Sequence, residues 1–138
     1  MEHTVKFKEV DFWTDESDIL YCRPLKFKYV HKLELDKVKK YIDAIELITN
    51  GKSMPFLIDL RDVQGTFSVL AAKELSKNIK LSQIRLSEAF VVNSIRMKLL
   101  ILSYKRLFDP ETPYMLFHDV ELAKNYCKQK KSELYGSI

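Results

Sequence analysis

Apolar residues recur along this chain with two periodicities, one typical of strands and the other of helices. Residues 5–13 are rich in aromatic and β-branched side chains and predict a strand, with a bulge near Lys8 and Glu9 where the alternation breaks. A polar turn over residues 14–18 and a short return strand over residues 19–23 follow, and Pro24 ends the second strand. Residues 1–25 are therefore predicted to form an antiparallel β-hairpin.

Four later segments carry apolar residues at helical spacing. They are predicted as helices over residues 36–49, 68–79, 95–108 and 119–127. Asp36, Ser68 and Asp119 are placed to cap three of these helices, since their side chains accept hydrogen bonds from free N–H groups. A polar C-terminal tail is predicted over residues 128–138.

Short apolar runs separate the helices, at residues 56–60, 89–92 and 114–117. Such runs are typical of strands that are buried on both faces in a parallel sheet. The predicted order is ββαβαβαβα, which indicates an α/β fold with a mostly parallel central sheet and covering helices. Residues 1–138 show no linker or repeat and are predicted to form a single domain.

Three segments carry a family resemblance: Asn50-Gly51-Lys52 leading into Leu57–Arg61, Ala89–Ser94, and the spacing of Pro110, Pro113, Phe117, Asp119 and Ala123. On these residues the chain resembles the STAS fold of anti-sigma factor antagonists and sulfate-transporter cytoplasmic domains. More specifically, it resembles small STAS-like (SpoIIAA-like) proteins of Bacteroidota-type bacteria. The resemblance implies this fold and a regulatory, non-catalytic role in which the protein binds another protein or a second copy of itself.

The same resemblance makes Ser68 a candidate phospho-acceptor. Regulatory members of the family are switched by phosphorylation of a serine in an Asp-Ser-Ser-Gly-like motif that opens the helix after the central strand. The corresponding residues here read Phe67-Ser68-Val69-Leu70, so that only Ser68 matches. A phosphate on Ser68 would lie at a helix N-terminus, where N–H groups favour negative charge. The alternative is that Ser68 only caps the helix.

A polar edge follows the central strand and forms a candidate site for a ligand or partner. Its members are Asp59, Arg61, Asp62 and Thr66. Open α/β sheets bind ligands beyond the carboxyl ends of their strands, and strand alternation points Asp59 and Arg61 to the same side. Either these groups hold a ligand or partner, or Asp59 accepts N–H groups of the next loop while Arg61 pairs with a neighbouring carboxylate.

The third predicted helix is a candidate interface because its apolar residues cover more than one face. The candidate interface residues are Ile95, Leu99, Ile101, Leu102, Leu107 and Phe108. Residues 99–102 form a full apolar turn, so at least one of them points away from the sheet. The helix either contacts a protein partner or a second subunit, or it is wedged between the sheet and a neighbouring element.

The remaining chemistry predicts neither an enzyme nor a metal site. The histidines, at positions 3, 31 and 118, have no helical i, i+4 pairing, and Cys22 and Cys127 have no metal-ligand spacing. We expect no cofactor and no catalytic residue. The alternative to a protein-binding module is a carrier of a small apolar or anionic ligand at the carboxyl edge of the sheet.

Charge and hydropathy bear on location and partners. No apolar run approaches the ~20 residues of a membrane span, and residues 1–6 lack the layout of a signal peptide, so a cytoplasmic protein with no membrane insertion is expected. The net charge is +4, and seven basic residues stand between residues 77 and 106 against one acid, Glu88. Because these charges are scattered singly, we interpret them as a solvated face and do not expect nucleic acid as a partner.

Overall fold

The computed structural model describes residues 3–25 and 31–135. The strands are β1 (His3–Lys6), β2 (Val10–Thr14), β3 (Leu20–Pro24), β4 (His31–Leu33), β5 (Met54–Asp59), β6 (Gly65–Phe67), β7 (Arg85–Val91) and β8 (Tyr114–Phe117). The helices are α1 (Leu35–Thr49), α2 (Val69–Lys77), α3 (Ile79–Ile84), α4 (Ile95–Leu107) and α5 (Val120–Tyr135). Residues 1–2, 26–30 and 136–138, which include the ends of the predicted hairpin and tail, lie outside the described residues.

The central sheet has the strand order β1-β2-β3-β5-β7-β8. β1, β2 and β3 pair antiparallel, whereas β3, β5, β7 and β8 pair parallel. The predicted α/β class is therefore confirmed, with a mixed sheet whose parallel half holds the central strand β5. Within the described residues, the carboxyl ends of β5, β7 and β8 all meet at one edge, which is the edge of the candidate site.

The single N-terminal strand with a bulge is a wrong prediction. The chain reverses between β1 and β2, where the Phe7 N–H donates to the Val10 carbonyl at 2.9 Å. β2 then runs back along β1, with Val5 opposite Phe12 and both side chains packed in the apolar core. The break in alternation marks a turn, because a reversal also returns apolar residues to the same face.

A second, two-stranded sheet was not predicted. β4 and β6 pair parallel, with Leu33 opposite Phe67, and the N–H of the next residue, Ser68, donates to the Leu33 carbonyl at 2.9 Å. Each strand has three residues, and β6 is only half buried. Strands this short carry too few alternating positions to be detected in sequence.

Two helix starts differ from the prediction. α1 has Glu34 at its N-cap with no side-chain cap bond. Asp36 lies in the first turn, where its negative charge interacts favourably with the helix dipole. The predicted helix over residues 68–79 is two helices, because Asn78 ends α2 and its Oδ1 caps α3 by accepting the Leu81 N–H at 2.9 Å. Asn50, in the left-handed conformation, ends α1 as predicted.

Most of the predicted polar tail is helical. α5 continues to Tyr135, and its last turns are joined by a Gln129–Glu133 hydrogen bond at 3.0 Å and a Lys130–Glu133 ion pair at 3.2 Å. Pairs spaced three and four residues apart stabilise a helix even where no apolar stripe marks it. The tail prediction treated a polar helix as a loop.

The helices cover the two faces of the sheet unequally. α1, α2 and α3 pack on one face through a core that includes Val38, Ile45 and Phe56. α4 lies on the same face, where Met97 and Ile101 contact Phe90 and Val92. α5 covers the other face, with its buried Ala123 and Cys127 against Leu57 and Ala89. The candidate interface helix and the candidate polar edge therefore share the β5–β7 region of the sheet.

Candidate functional site

Asp59 lies at the carboxyl end of β5, and its carboxylate forms ion pairs with two arginines. Arg61 Nε and Nη2 donate to its two oxygens at 3.0 and 2.8 Å, and the Arg61 N–H adds a third bond at 3.2 Å. Arg23 Nη1, from β3, lies 2.8 Å from Asp59 Oδ1 and also donates to the carbonyls of Asp59 and Arg61 at 3.2 Å. Asp59 is only 8% exposed, so its carboxylate is held inside the protein by these bonds.

The electrostatics of Asp59 follow from this arrangement. Burial acts to raise its pKa, but hydrogen bonds from Arg61 and the charges of Arg23 and Arg61 outweigh it and hold the pKa below the ordinary value of 3.8. The geometry is that of the structural alternative, in which Asp59 accepts a loop N–H and Arg61 pairs with a neighbouring carboxylate, and that carboxylate is Asp59 itself. The neighbouring cation Arg23 was missed, because it is 36 residues away in the chain.

Replacing Asp59 by Asn should remove a pH-dependent part of the stability. Because the folded pKa is lowered, ionised Asp59 stabilises the fold fully above its unfolded pKa, and this contribution disappears as the pH falls through the folded pKa. Urea unfolding should show Asp59→Asn less stable than wild type at pH 7, with a smaller difference near pH ~2.5. Asp43→Asn, at an exposed position of α1, is the control. Equal differences at both pH values would contradict the pairing.

The two remaining residues of the predicted edge, Asp62 and Thr66, have neighbours of their own. Asp62 forms a reciprocal pair with Asn93, in which the Asp62 N–H donates to Asn93 Oδ1 and Asn93 Nδ2 donates to Asp62 Oδ1, both at 2.9 Å. Asp62 has a φ of 63°, a conformation that aspartate tolerates better than most residues. Thr66 lies in β6, opposite Lys32 in the small sheet. The residues of the predicted edge are thus divided between the Asp59–Arg61 pair, the Asp62–Asn93 pair and the small sheet.

A shallow groove lies beside Asp59 on the α5 face of the sheet. Its volume is about 150 Å³, and its lining residues are Trp13, Asp15, Tyr21, Cys22, Leu57, Asp59, Val120 and Lys124. The Trp13 and Tyr21 rings stack with centroids 5.2 Å apart, and Lys124 Nζ lies 5.7 Å from the centre of the Tyr21 ring. The Tyr21 hydroxyl donates to Asp15 at 2.7 Å. The aromatic residues of this groove come from the N-terminal strands, which the sequence did not associate with a site.

α4 presents its predicted interface residues to different surroundings. Ile95, Leu99 and Leu107 are 78%, 58% and 69% exposed, and Leu102 is half-buried. Ile101, at 8%, packs on Phe90 and Val92 and does not belong to the outer surface.

The C-terminal end of α4 is joined to the start of α2. The ring of Phe67, the last residue of β6, packs edge-on against the rings of Tyr104 and Phe108, with centroids 5.5 and 6.2 Å apart. Phe108, a predicted interface residue, is therefore half-buried against Phe67. Ser68 follows at once and caps α2, its Oγ accepting the Ala71 N–H at 3.0 Å.

A buried ion cluster anchors α4 to β7. Lys105 Nζ lies 2.5 Å from Glu88 Oε1 and 2.8 Å from Asp109 Oδ2, and Arg85 Nη2 lies 3.8 Å from the same Asp109 oxygen. All four side chains are at most 6% exposed. Burial raises the pKa of Glu88, against the opposing charges of Lys105 and Arg85. The interpretation of this segment as a solvated basic face is wrong for Arg85 and Lys105.

An irregularity in β7 builds this cluster. Met54 is opposite Arg85 and Phe56 is opposite Glu88, so β7 has one residue more than β5 over this stretch. The extra residue puts Arg85 and Glu88 on the same face, although three positions apart in a strand would place them on opposite faces. The signals available in the sequence were Glu88 within an apolar run and the helical i, i+4 spacing of Lys105 and Asp109.

Cys127 is buried and Cys22 is partly buried. Burial raises the pKa of Cys127 to about 12, and burial together with the nearby Asp59 charge does the same for Cys22. Neither thiol is therefore ionised near neutral pH, which is the form that acts as a nucleophile.

Metal-ligating clusters and membrane spans are absent from the residues that the structure describes. Over residues 3–25 and 31–135, no group of three or more His, Cys, Asp or Glu side chains is placed to hold a metal ion. No helix in these ranges is long and apolar enough to cross a bilayer.

Comparison of structures confirms the predicted fold. The crystal structure of an uncharacterized protein of the DUF3478 family from Shewanella loihica PV-4, described as having a SpoIIAA-like fold, matches with a TM-score of 0.55. The match covers 92% of each chain at 15% sequence identity, so the likeness concerns the fold alone. The Bacteroidota-type origin stays a prediction.

Sequence comparison places the chain in a family. No curated protein matches it. The model of a domain of unknown function, DUF7793, matches residues 12–131, which run from β2 into α5 and include Asp59, the ion cluster and α4. On this match over most of its length, the chain belongs to the DUF7793 family.

Proposed function

We propose that this protein is a non-catalytic, cytoplasmic regulatory module that binds another protein through the outer face of α4. The observation that carries the proposal is the exposure of Ile95, Leu99 and Leu107, three large aliphatic side chains on one 13-residue helix. The SpoIIAA-like fold of the structural neighbour supports a regulatory role by analogy only.

The energetics of these side chains are sufficient for a specific contact. Full burial of a Leu or Ile side chain contributes about 1.5–3 kcal/mol, so three that are already mostly exposed offer several kcal/mol to a partner. Interaction sites on soluble proteins are commonly apolar patches of this kind. The helix that carries them is fixed from below by Ile101 and Lys105, so binding need not order it first.

The start of α2 carries two further exposed apolar side chains near the C-terminal end of α4. Val69 and Leu70 are 59% and 62% exposed, and Phe67 holds this turn against the C-terminal end of α4. Ser68 lies in the same turn. Its phosphorylation, which would place negative charge at the start of α2, stays a prediction beside its observed role as a helix cap.

A double replacement on α4 tests the proposed function. Ile95→Asp with Leu99→Asp should abolish partner binding, because two charged side chains would have to be desolvated at the centre of the contact. The measurement is affinity capture from the native host with wild type and the variant, followed by calorimetry with the purified captured protein. We expect at least a hundredfold loss of affinity.

The matched control is Leu47→Asp, at a residue of α1 that is 75% exposed and lies outside the proposed surface. It should retain every partner of the wild type. Circular dichroism should show all variants folded, since the replaced side chains are exposed. A folded double variant that binds the same proteins with wild-type affinity would refute the proposal.

The ligand-carrier alternative gains no support from the groove beside Asp59. Small-molecule sites typically measure about 300–1,000 Å³. The groove measures about 150 Å³, and the Asp59 oxygens that face it are engaged by arginines. The carrier function stays a prediction without a specific observation in its favour.

A further inference from the structure

We infer that the partner of α4 is an acidic amphipathic segment of another protein, with Leu- or Ile-type side chains flanked by Asp or Glu. The inference rests on the proposed function, because it names the chemistry of the partner that the same surface binds. It is carried by the charges that surround the exposed stripe of α4.

The helix is basic on its outer side. α4 contains four cations, Arg96, Lys98, Lys105 and Arg106, and no acidic residue. Lys105 is buried and paired with Glu88 and Asp109. The other three are exposed, and no hydrogen bond or ion pair joins them to any residue within 3–25 and 31–135. Three positive charges on one short helix are therefore available to a partner.

The geometry places these charges around the apolar stripe. Ile95, Leu99 and Leu102 follow the i, i+4, i+7 spacing of one helix face. At about 100° per residue, Arg96 lies on one side of that stripe and Lys98 on the other, while Arg106 continues the stripe by one turn. An apolar row bordered by cations on both sides complements an apolar row bordered by carboxylates.

The first turn of α4 adds to this preference. It contains no acidic side chain, and the positive end of the helix dipole lies there. A partner carboxylate that approaches Arg96 would be attracted both by the Arg96 charge and by the helix dipole. Asp62 pairs with Asn93, at the entry to the helix.

A second copy of this chain does not fit the same face. In a two-fold contact the same patch of both subunits meets, so the cations Arg96, Lys98 and Arg106 would face a surface with the same cations and no acidic residue of α4. Like charges opposed across a contact disfavour it. Charge therefore disfavours a homodimer built on α4 against α4 and favours a partner with carboxylates.

A membrane surface fits less well than a protein. Interfacial helices sink an apolar face that is commonly rich in aromatic residues about 5–10 Å into the lipid. The aromatic residues at this end of the fold, Tyr104 and Phe108, turn inward onto Phe67. The exposed stripe is aliphatic and short, which suits the side of one partner helix.

The test selects a partner without assuming its identity. The purified full chain would be used to select from a displayed library of random 16-residue peptides, with Ile95→Asp/Leu99→Asp protein for counter-selection. We expect the retained peptides to be net negative and to carry Leu or Ile at i, i+3 or i, i+4. The best peptide would then be measured by calorimetry.

Charge-reversal variants test whether the cations of α4, and not only its apolar side chains, bind the peptide. Arg96→Glu with Lys98→Glu should weaken that peptide at least tenfold, whereas Arg96→Lys with Lys98→Arg should stay within about threefold of wild type. Lys39→Glu with Lys40→Glu, at exposed positions of α1, makes the same change in net charge and should leave the affinity unchanged.

The outcomes separate the inference from the proposed function. Peptides that escape the counter-selection but are neutral or basic would overturn the acidic partner and leave α4 as the binding surface. No peptide specific to the wild type would count against the surface itself. Stronger binding to phosphatidylglycerol vesicles than to any peptide, lost in the Ile95→Asp/Leu99→Asp variant, would replace the protein partner by a membrane.

Discussion

Lys105→Met is expected to lower the free energy of unfolding by about 3–5 kcal/mol, since it removes one partner of a buried ion cluster. Lys105 is 1% exposed, and its loss would leave the carboxylates of Glu88 and Asp109 inside the fold with Arg85 alone. The cost arises from uncompensated buried charge more than from the lost attraction. Urea unfolding, followed by the fluorescence of Trp13, the single tryptophan, measures it.

Two further variants show whether the charges or the shape of the site matter. Glu88→Met combined with Lys105→Met removes one charge of each sign, so the double variant should be more stable than Lys105→Met by at least about 1 kcal/mol. Lys98→Met, at an exposed position of the same helix, should change stability by no more than about 0.5 kcal/mol. A double variant less stable than either single variant would mean that the cluster acts by packing.

Tyr104→Ala is expected to destabilise the protein by about 3 kcal/mol, because large-to-small changes of buried aromatic residues leave a cavity. The Tyr104 ring is 7% exposed and packs between Phe67 and Phe108, with centroids 5.5 and 5.9 Å away. It is the contact that joins the small sheet and the start of α2 to α4. Thermal and urea unfolding measure the effect.

Tyr104→Phe is the control variant, because it keeps the aromatic ring and removes only the hydroxyl. No hydrogen bond joins the Tyr104 hydroxyl to any residue that the structure describes, and burial raises its pKa. Removal of the hydroxyl should therefore change the free energy of unfolding by less than about 1 kcal/mol. A loss in Tyr104→Phe as large as that in Tyr104→Ala would show that the hydroxyl, not the ring, holds the two elements together.

The sequence was a good guide where a local pattern determines the structure. The stripe of α1 and the apolar runs of β5 and β8 each match an element, since amphipathic spacing reports directly on which side is buried. The Ser68 cap was also read correctly, because a cap bond involves residues three positions apart. Elements that lack an apolar pattern, such as β4, β6 and the end of α5, were missed.

The candidate site was harder to predict because its contacts are distant in sequence. Asp59 and Arg61 are two residues apart, and one alternative gave Arg61 a neighbouring carboxylate without naming it, whereas Arg23 comes from β3. The groove at Trp13 and Tyr21 depends on how β2, β3 and α5 are arranged, which no local spacing records. The predicted edge of Asp59, Asp62 and Thr66 was divided because the loop after β5 turns at Asp62 and then enters a second sheet.

The sequence alone determined that this protein has an α/β fold with alternating strands and helices and a third long helix too apolar to be covered on one side. Those properties follow from periodicity, which acts through neighbouring residues. Only the tertiary structure decided which residues of that helix are outside, because Ile101 and Leu99 are equally apolar and differ only in what packs against them. It also decided that Lys105 is buried while Arg96 and Lys98 are not, since one extra residue in β7 brings Arg85 and Glu88 to the face beneath α4.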